Sequence, residues 1–153
     1  MNPLFDAIRS EEYKTVQKVL EKNPELINTI DQRGSTPLLL ASYYGLEDIT
    51  KLLLSYHPKV DAKDASGNTA LMGVCFKGYI TIVELLLQHG ANVNITNYSN
   101  ATALIYAATF GKKDIIKLLL KNGADSSIKD NKGNTAKMHA QKQGLDVNDL
   151  FTA

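Results

Sequence analysis

Few side chains in this chain have the types and spacing that chemistry needs. It holds three histidines and one cysteine. His57, His89 and His139 have no second histidine or cysteine at metal-ligand spacing. They read as solvated or capping side chains, and no metal is expected. Cys75 would need a basic neighbour to become a nucleophilic thiolate, and the sequence identifies none. It reads as a packed thiol. The glycines form no Gly-x-x-x-x-Gly-Lys-Ser/Thr loop that would cradle a phosphate, so no cofactor is expected. Asp64 and Asp130 belong to a recurring position, which assigns them to a repeated turn and not to an acid–base pair. The triplets starting at Asn94, Asn97 and Asn100 match the glycosylation signal, which matters only in a secreted chain. No catalytic residue is expected, and the chain reads as a non-enzyme.

The elements that hold these residues repeat. Asp64 to Thr96 is the reference stretch, and 33 residues earlier Asp31 starts a similar run with Gly34, Thr36, Leu38, Gly45 and Leu52-Leu53-Leu54. Thirty-three residues later Asn97 starts another, with Thr102, Leu104, Gly111 and Leu118-Leu119-Leu120. Asp130 starts a shorter fourth with Gly133, Thr135 and Gly144. A fixed period of this size marks a stacked-repeat architecture. Within one copy, Asp64 to Gly67 is turn chemistry, and Thr69 stands where a helix N-cap belongs. Leu71, Val74 and Cys75 share one helical face, Gly78 ends that helix, and Ile82 to Leu87 give a second, more apolar one. Helices of about nine residues are too short to persist alone in water, where roughly 12–15 are marginal. The copies must therefore stack.

Asp-x-x-Gly-x-Thr-Pro-Leu, an alanine and a glycine, then Ile-Val-x-Leu-Leu-Leu and Gly-Ala-x-x-Asn resemble the ankyrin-repeat pattern. Asp31 to Leu40 with Ala41 and Gly45 carry it, as do His89 to Asn94 and Asn122 to Asp125. The resemblance spans essentially the whole chain. It implies an all-α solenoid of helix-turn-helix units joined by β-hairpin turns, with tips near Arg33, Ser66, Ser99 and Lys132. Residues 1–30 are expected to form an N-terminal cap, residues 31–63, 64–96 and 97–129 full repeats, and residues 130–153 a truncated C-terminal cap. The first copy has Glu11 in place of the loop glycine and a longer exit, Asn23 to Asn28. In the second copy Tyr56-His57-Pro58 replaces Gly-Ala, so that helix is expected to stop through Pro58 and not through a left-handed glycine. Asn100 replaces a turn glycine, a mild change because Asn tolerates positive φ. The histidine that follows Thr-Pro-Leu in the family is replaced by Leu39, Met72, Ile105 and Met138.

Composition narrows the function. The chain of 153 residues has net charge +1 and 44% apolar residues, as one domain with a continuous core would. One cysteine excludes an internal disulfide framework and suits a reducing compartment. No apolar run approaches the roughly 18 residues of a membrane span, and the N-terminus has no signal-peptide pattern, so a cytoplasmic monomer is expected. Residues 97–153 hold eight lysines against five aspartates, with Lys112, Lys113, Lys117 and Lys121 crowded on one helix. Without a nucleic-acid motif these read as a solvated outer face.

The resemblance also points to a site. In ankyrin proteins the end of the first helix of each repeat lines a concave groove together with the hairpin tips. Those places hold Tyr43, Tyr44, Phe76, Lys77, Thr109 and Phe110, extended at the tips by Arg33, Ser66, Tyr98 and Lys132. Aromatic and arginine side chains are the usual anchors of interfaces. The expected function is a non-catalytic module that binds a partner protein through this groove. The alternatives are an inhibitor or antitoxin-like regulator of a partner enzyme and, with less support, nucleic-acid binding through the lysine-rich end.

Overall fold

The local signals set ten short helices in a computed structural model that describes residues 2–151. Each repeat's first helix opens on a side chain that accepts from the backbone. Asn2 caps α1 (Pro3–Arg9), Thr36 caps α3 (Pro37–Tyr43), and Thr69 caps α5 (Ala70–Lys77). Thr102 and Thr135 do the same for α7 (Ala103–Thr109) and α9 (Ala136–Lys142). A tight loop then reverses the chain into the second helix of each pair. These are α2 (Tyr13–Lys22), α4 (Glu47–Leu54), α6 (Ile80–Gln88), α8 (Lys113–Lys121) and α10 (Val147–Leu150). The odd-numbered helices stack in order as an inner layer and the even-numbered ones as an outer layer. The long exit of the first copy is a 3-10 turn, Pro24–Asn28.

Burial follows the apolar stripe of each helix. Leu4, Ile8, Val16, Leu20 and Leu53 form one cluster, while Leu54, Leu71, Val83, Leu86, Leu104 and Leu119 belong to a second, longer one. Helices α3 and α4 serve both, with Ala41, Ile49 and Leu53 on one side and Leu38 and Leu54 on the other. Cys75 is fully buried, and burial pushes its thiol up, away from the thiolate that nucleophilic chemistry needs.

The turns between repeats form without strands among the described residues. Asp31 Oδ1 accepts from the backbone N–H of Arg33 and Ser35, at 2.8 and 2.9 Å. Asp64, Asn97 and Asp130 repeat that motif on residues two and four ahead. The side-chain oxygen thus takes the amides that a longer hairpin ladder would have paired. Neighbouring tips are joined by backbone bonds, Tyr98 N–H to Ser66 O at 3.2 Å and Asn131 N–H to Ser99 O at 3.0 Å, and by side-chain bonds from Asn97 Nδ2 to Asn68 Oδ1 at 2.8 Å and from Asn100 Nδ2 to Asn131 Oδ1 at 2.7 Å. A second series locks the outer loops. Asn28, Asp61 and Asn94 accept from the N–H of Lys59, Asn92 and Asp125 in the next repeat, at 2.9, 3.0 and 2.8 Å.

Helix α4 ends with His57 itself in the left-handed region, φ +52°, where the equivalent Gly90 and Gly123 stand at +85° and +89°. Pro58 bars His57 from the helical region, and the left-handed conformation still lets its N–H reach Leu54 O at 3.0 Å. Glu11 takes the same conformation, φ +56°, at the loop place of glycine in the first copy. Asn100 has φ +58°, as its tolerance for that region allows.

Candidate partner-binding groove

The inner helices end on the concave side, and their last residues carry the rings. Tyr43 meets Tyr44 edge-on at 6.2 Å between centroids and stacks parallel to Phe76 at 6.4 Å. Phe76 meets Phe110 edge-on at 4.7 Å. Four rings from three repeats therefore form one unbroken strip. They are between 37% and 53% exposed, so they rim the groove and do not fill the core. Lys77 places its Nζ 4.7 Å over the Tyr43 ring.

The remaining sequence candidates are placed around this strip or away from it. Arg33 and Ser66 line an open cleft of about 1140 Å³ with Tyr43 and Tyr44. The Thr109 hydroxyl turns back to Ile105 O at 2.7 Å and so serves its own helix. Tyr98 lies over Gly67 of the preceding turn, with Lys63 Nζ 5.8 Å above its ring, and makes no ring contact with the strip. Gly67 has to be glycine here, since a Cβ would stand 2.9 Å from Tyr98 and φ is +81°. Lys132 sits exposed at the tip of the last turn, outside the cleft.

The cleft also gathers residues that the sequence reading passed over. Phe5, Arg9 and Ile30 close its N-terminal end. Arg9 bonds Asp31 Oδ2 at 3.2 Å and lies 5.7 Å over the Phe5 ring. Aligning the first copy on its helix caps, Asn2 on Thr36, would have put Arg9 at the Tyr43 place. Aligning by the 33-residue period hid it.

Polar chemistry elsewhere is structural. His139 Nε2 lies 2.8 Å from Asp130 Oδ2, tying the last turn to α9. His89 Nδ1 sits 2.9 Å from Leu85 O at the end of α6. Among the described residues, no three His, Cys, Asp or Glu side chains converge to hold a metal ion, and no helix is long and apolar enough to cross a membrane. The arrangement is an open, partly apolar trough with polar walls, which suits contact with a polypeptide.

Comparison with known proteins agrees with the architecture. The family model described as ankyrin repeats (3 copies) matches residues 4–97, and that described as ankyrin repeats (many copies) matches residues 86–136. No curated protein matches the chain. Ankyrin repeats generally mediate protein–protein interaction. Stacked helix pairs, capped by threonine, turned by Asx motifs and matched along nearly the whole sequence, place this chain in the ankyrin-repeat family.

Proposed function

We propose that this protein is a non-catalytic module that binds a partner protein through its concave groove and turn tips. The observation that carries the reading is the continuous strip of Tyr44, Tyr43, Phe76 and Phe110, half-exposed and held in mutual contact. Pre-ordered rings lose little conformational entropy on binding and present a large apolar area, the properties of interface anchors. Arg33, Ser66 and Lys77 supply polar rims beside them. On this reading Thr109, Tyr98 and Lys132 would extend the contact beyond the strip. The chain then acts as a monomer, and in the cytoplasm, whose reducing conditions suit its single, buried cysteine.

The test is alanine replacement of the four rings. Core aromatics would cost roughly 3–5 kcal/mol each and unfold the protein. Half-exposed rings should leave the melting temperature close to that of the parent. Affinity for a partner first isolated on the parent protein and then purified should fall, with a hot-spot loss of about 2 kcal/mol equal to roughly thirtyfold. Lys117 and Lys121 on the outer helix α8 serve as controls. Loss of binding in the lysine variants alone, with ring variants folded and still binding, would move the site off the groove.

A further inference from the structure

The four turn residues Asp31, Asp64, Asn97 and Asp130 each commit one oxygen to the backbone, which leaves their second side-chain atom for other contacts. In three of the four, the chain itself occupies that atom. Asp31 Oδ2 takes the Arg9 guanidinium at 3.2 Å, and Asp130 Oδ2 takes His139 Nε2 at 2.8 Å. Asn97 Nδ2 donates to the Tyr106 hydroxyl at 3.0 Å and to Asn68 Oδ1 at 2.8 Å. Asp64 differs. Its Oδ2 has no hydrogen-bond or ion-pair partner among the described residues, although it lines the cleft. The cause is one residue. Tyr106 and His139 stand on the inner helices at the place where α5 has Gly73, so here no side chain reaches back to the turn. Arg33 lines the same cleft and makes no ion pair among the described residues.

We propose that this space receives an arginine side chain of the partner, its guanidinium bound to Asp64 Oδ2 above Gly73 and beside Tyr43. The inference rests on the groove reading and names the chemistry that the groove recognises. The neighbouring turn shows the arrangement already filled, because Arg9 joins a turn carboxylate, Asp31, to an aromatic ring, Phe5. Next to Asp64 the ring is Tyr43, whose Cδ1 would lie 3.3 Å from a Cβ on Gly73 and so walls the empty space. A guanidinium suits it better than an ammonium, since its planar fork can bond the carboxylate while its face packs on a ring. Gly73 is an interior helix position, where glycine is less favourable than alanine, and its bareness makes room for the Tyr43 ring that walls the space.

The test uses Nα-acetyl-arginine methylamide, its uncharged citrulline isostere and the lysine analogue, titrated into the 15N-labelled protein. The arginine compound should shift the amides of Ser66, Asn68 and Gly73 in a saturable way, the citrulline compound should not, and the lysine compound should act more weakly. Asp64→Asn should abolish the shifts and keep the fold, because Asn97 already holds the same turn with the same oxygen. Asp48→Asn, on the outer helix α4, should change nothing. Unchanged shifts in Asp64→Asn, shifts mapping elsewhere, or a lysine response equal to that of arginine would overturn the proposal. With the purified partner, Asp64→Asn should weaken binding by about tenfold or more. Normal partner binding by Asp64→Asn with loss in the ring variants would sink this inference and leave the groove reading standing. Normal binding by the ring variants would sink the groove reading itself.

Discussion

Thr50 is fully buried in α4, and its hydroxyl is a buried side-chain atom without a hydrogen-bond partner. The equivalent places one and two repeats on hold Val83 and Ile116, also fully buried. An orphaned hydroxyl in an apolar setting costs on the order of 1–3 kcal/mol. Thr50→Val keeps the shape and removes the penalty, so it should raise stability by about 1 kcal/mol. A denaturant midpoint that rises at unchanged slope would report it; a lower midpoint would mean the hydroxyl has a role. Side-chain identity also misleads at His57 and Glu11. Neither residue type favours a left-handed backbone, yet the repeat needs that conformation at both places and overrides the preference. The period marked the positions, and only the fold decided which argument won.

The turns and helices were legible because their signals are local. Threonine caps, loop glycines and turn aspartates lie within a few residues of the bonds they make. Contacts between elements were less legible. The period put Tyr43, Phe76 and Phe110 in neighbouring layers, but ring-to-ring contact depends on rotamers that no spacing encodes. The pairing of Asp130 with His139, nine residues on, was likewise unread, since histidine stood one place beyond the family's position. Desolvation raises the Asp130 carboxyl, but hydrogen bonds from His139 and from the N–H of Asn134 and Lys132, with the imidazole's charge, outweigh it and hold it below the usual range. A carboxyl lowered in the folded state adds stability above its unfolded value near 3.9, lost as pH falls through the folded value. Asp130→Asn keeps the turn acceptor and loses the titration. It should be less stable than the parent at neutral pH, with the gap closing below about pH 4. Urea midpoints across that range check this, and a gap independent of pH would contradict the assignment.

For the molecule as a whole, stability comes from stacking and so from its ends. Ala136, Ala140, Val147 and Leu150 of the last copy cover a core that includes Ile105, Ile115 and Leu119. Deleting residues 130–153 would expose that flank. At about 25 cal/mol per Å² of apolar area, a few hundred Å² approaches the roughly 5–15 kcal/mol of a typical domain. The truncated chain should aggregate or melt without cooperativity in calorimetry. A soluble product with the parent's melting temperature would refute the stacking account. The outer-loop series from Asn28, Asp61 and Asn94 bears on how quickly such a stack assembles. Each of its bonds spans 31 residues and reaches only the next repeat. Loop-closure entropy depends on the length of chain enclosed, and every added repeat encloses the same length as the one before. The search that limits the folding rate is therefore the docking of one neighbouring pair, and lengthening the array adds further starting points without lengthening that search.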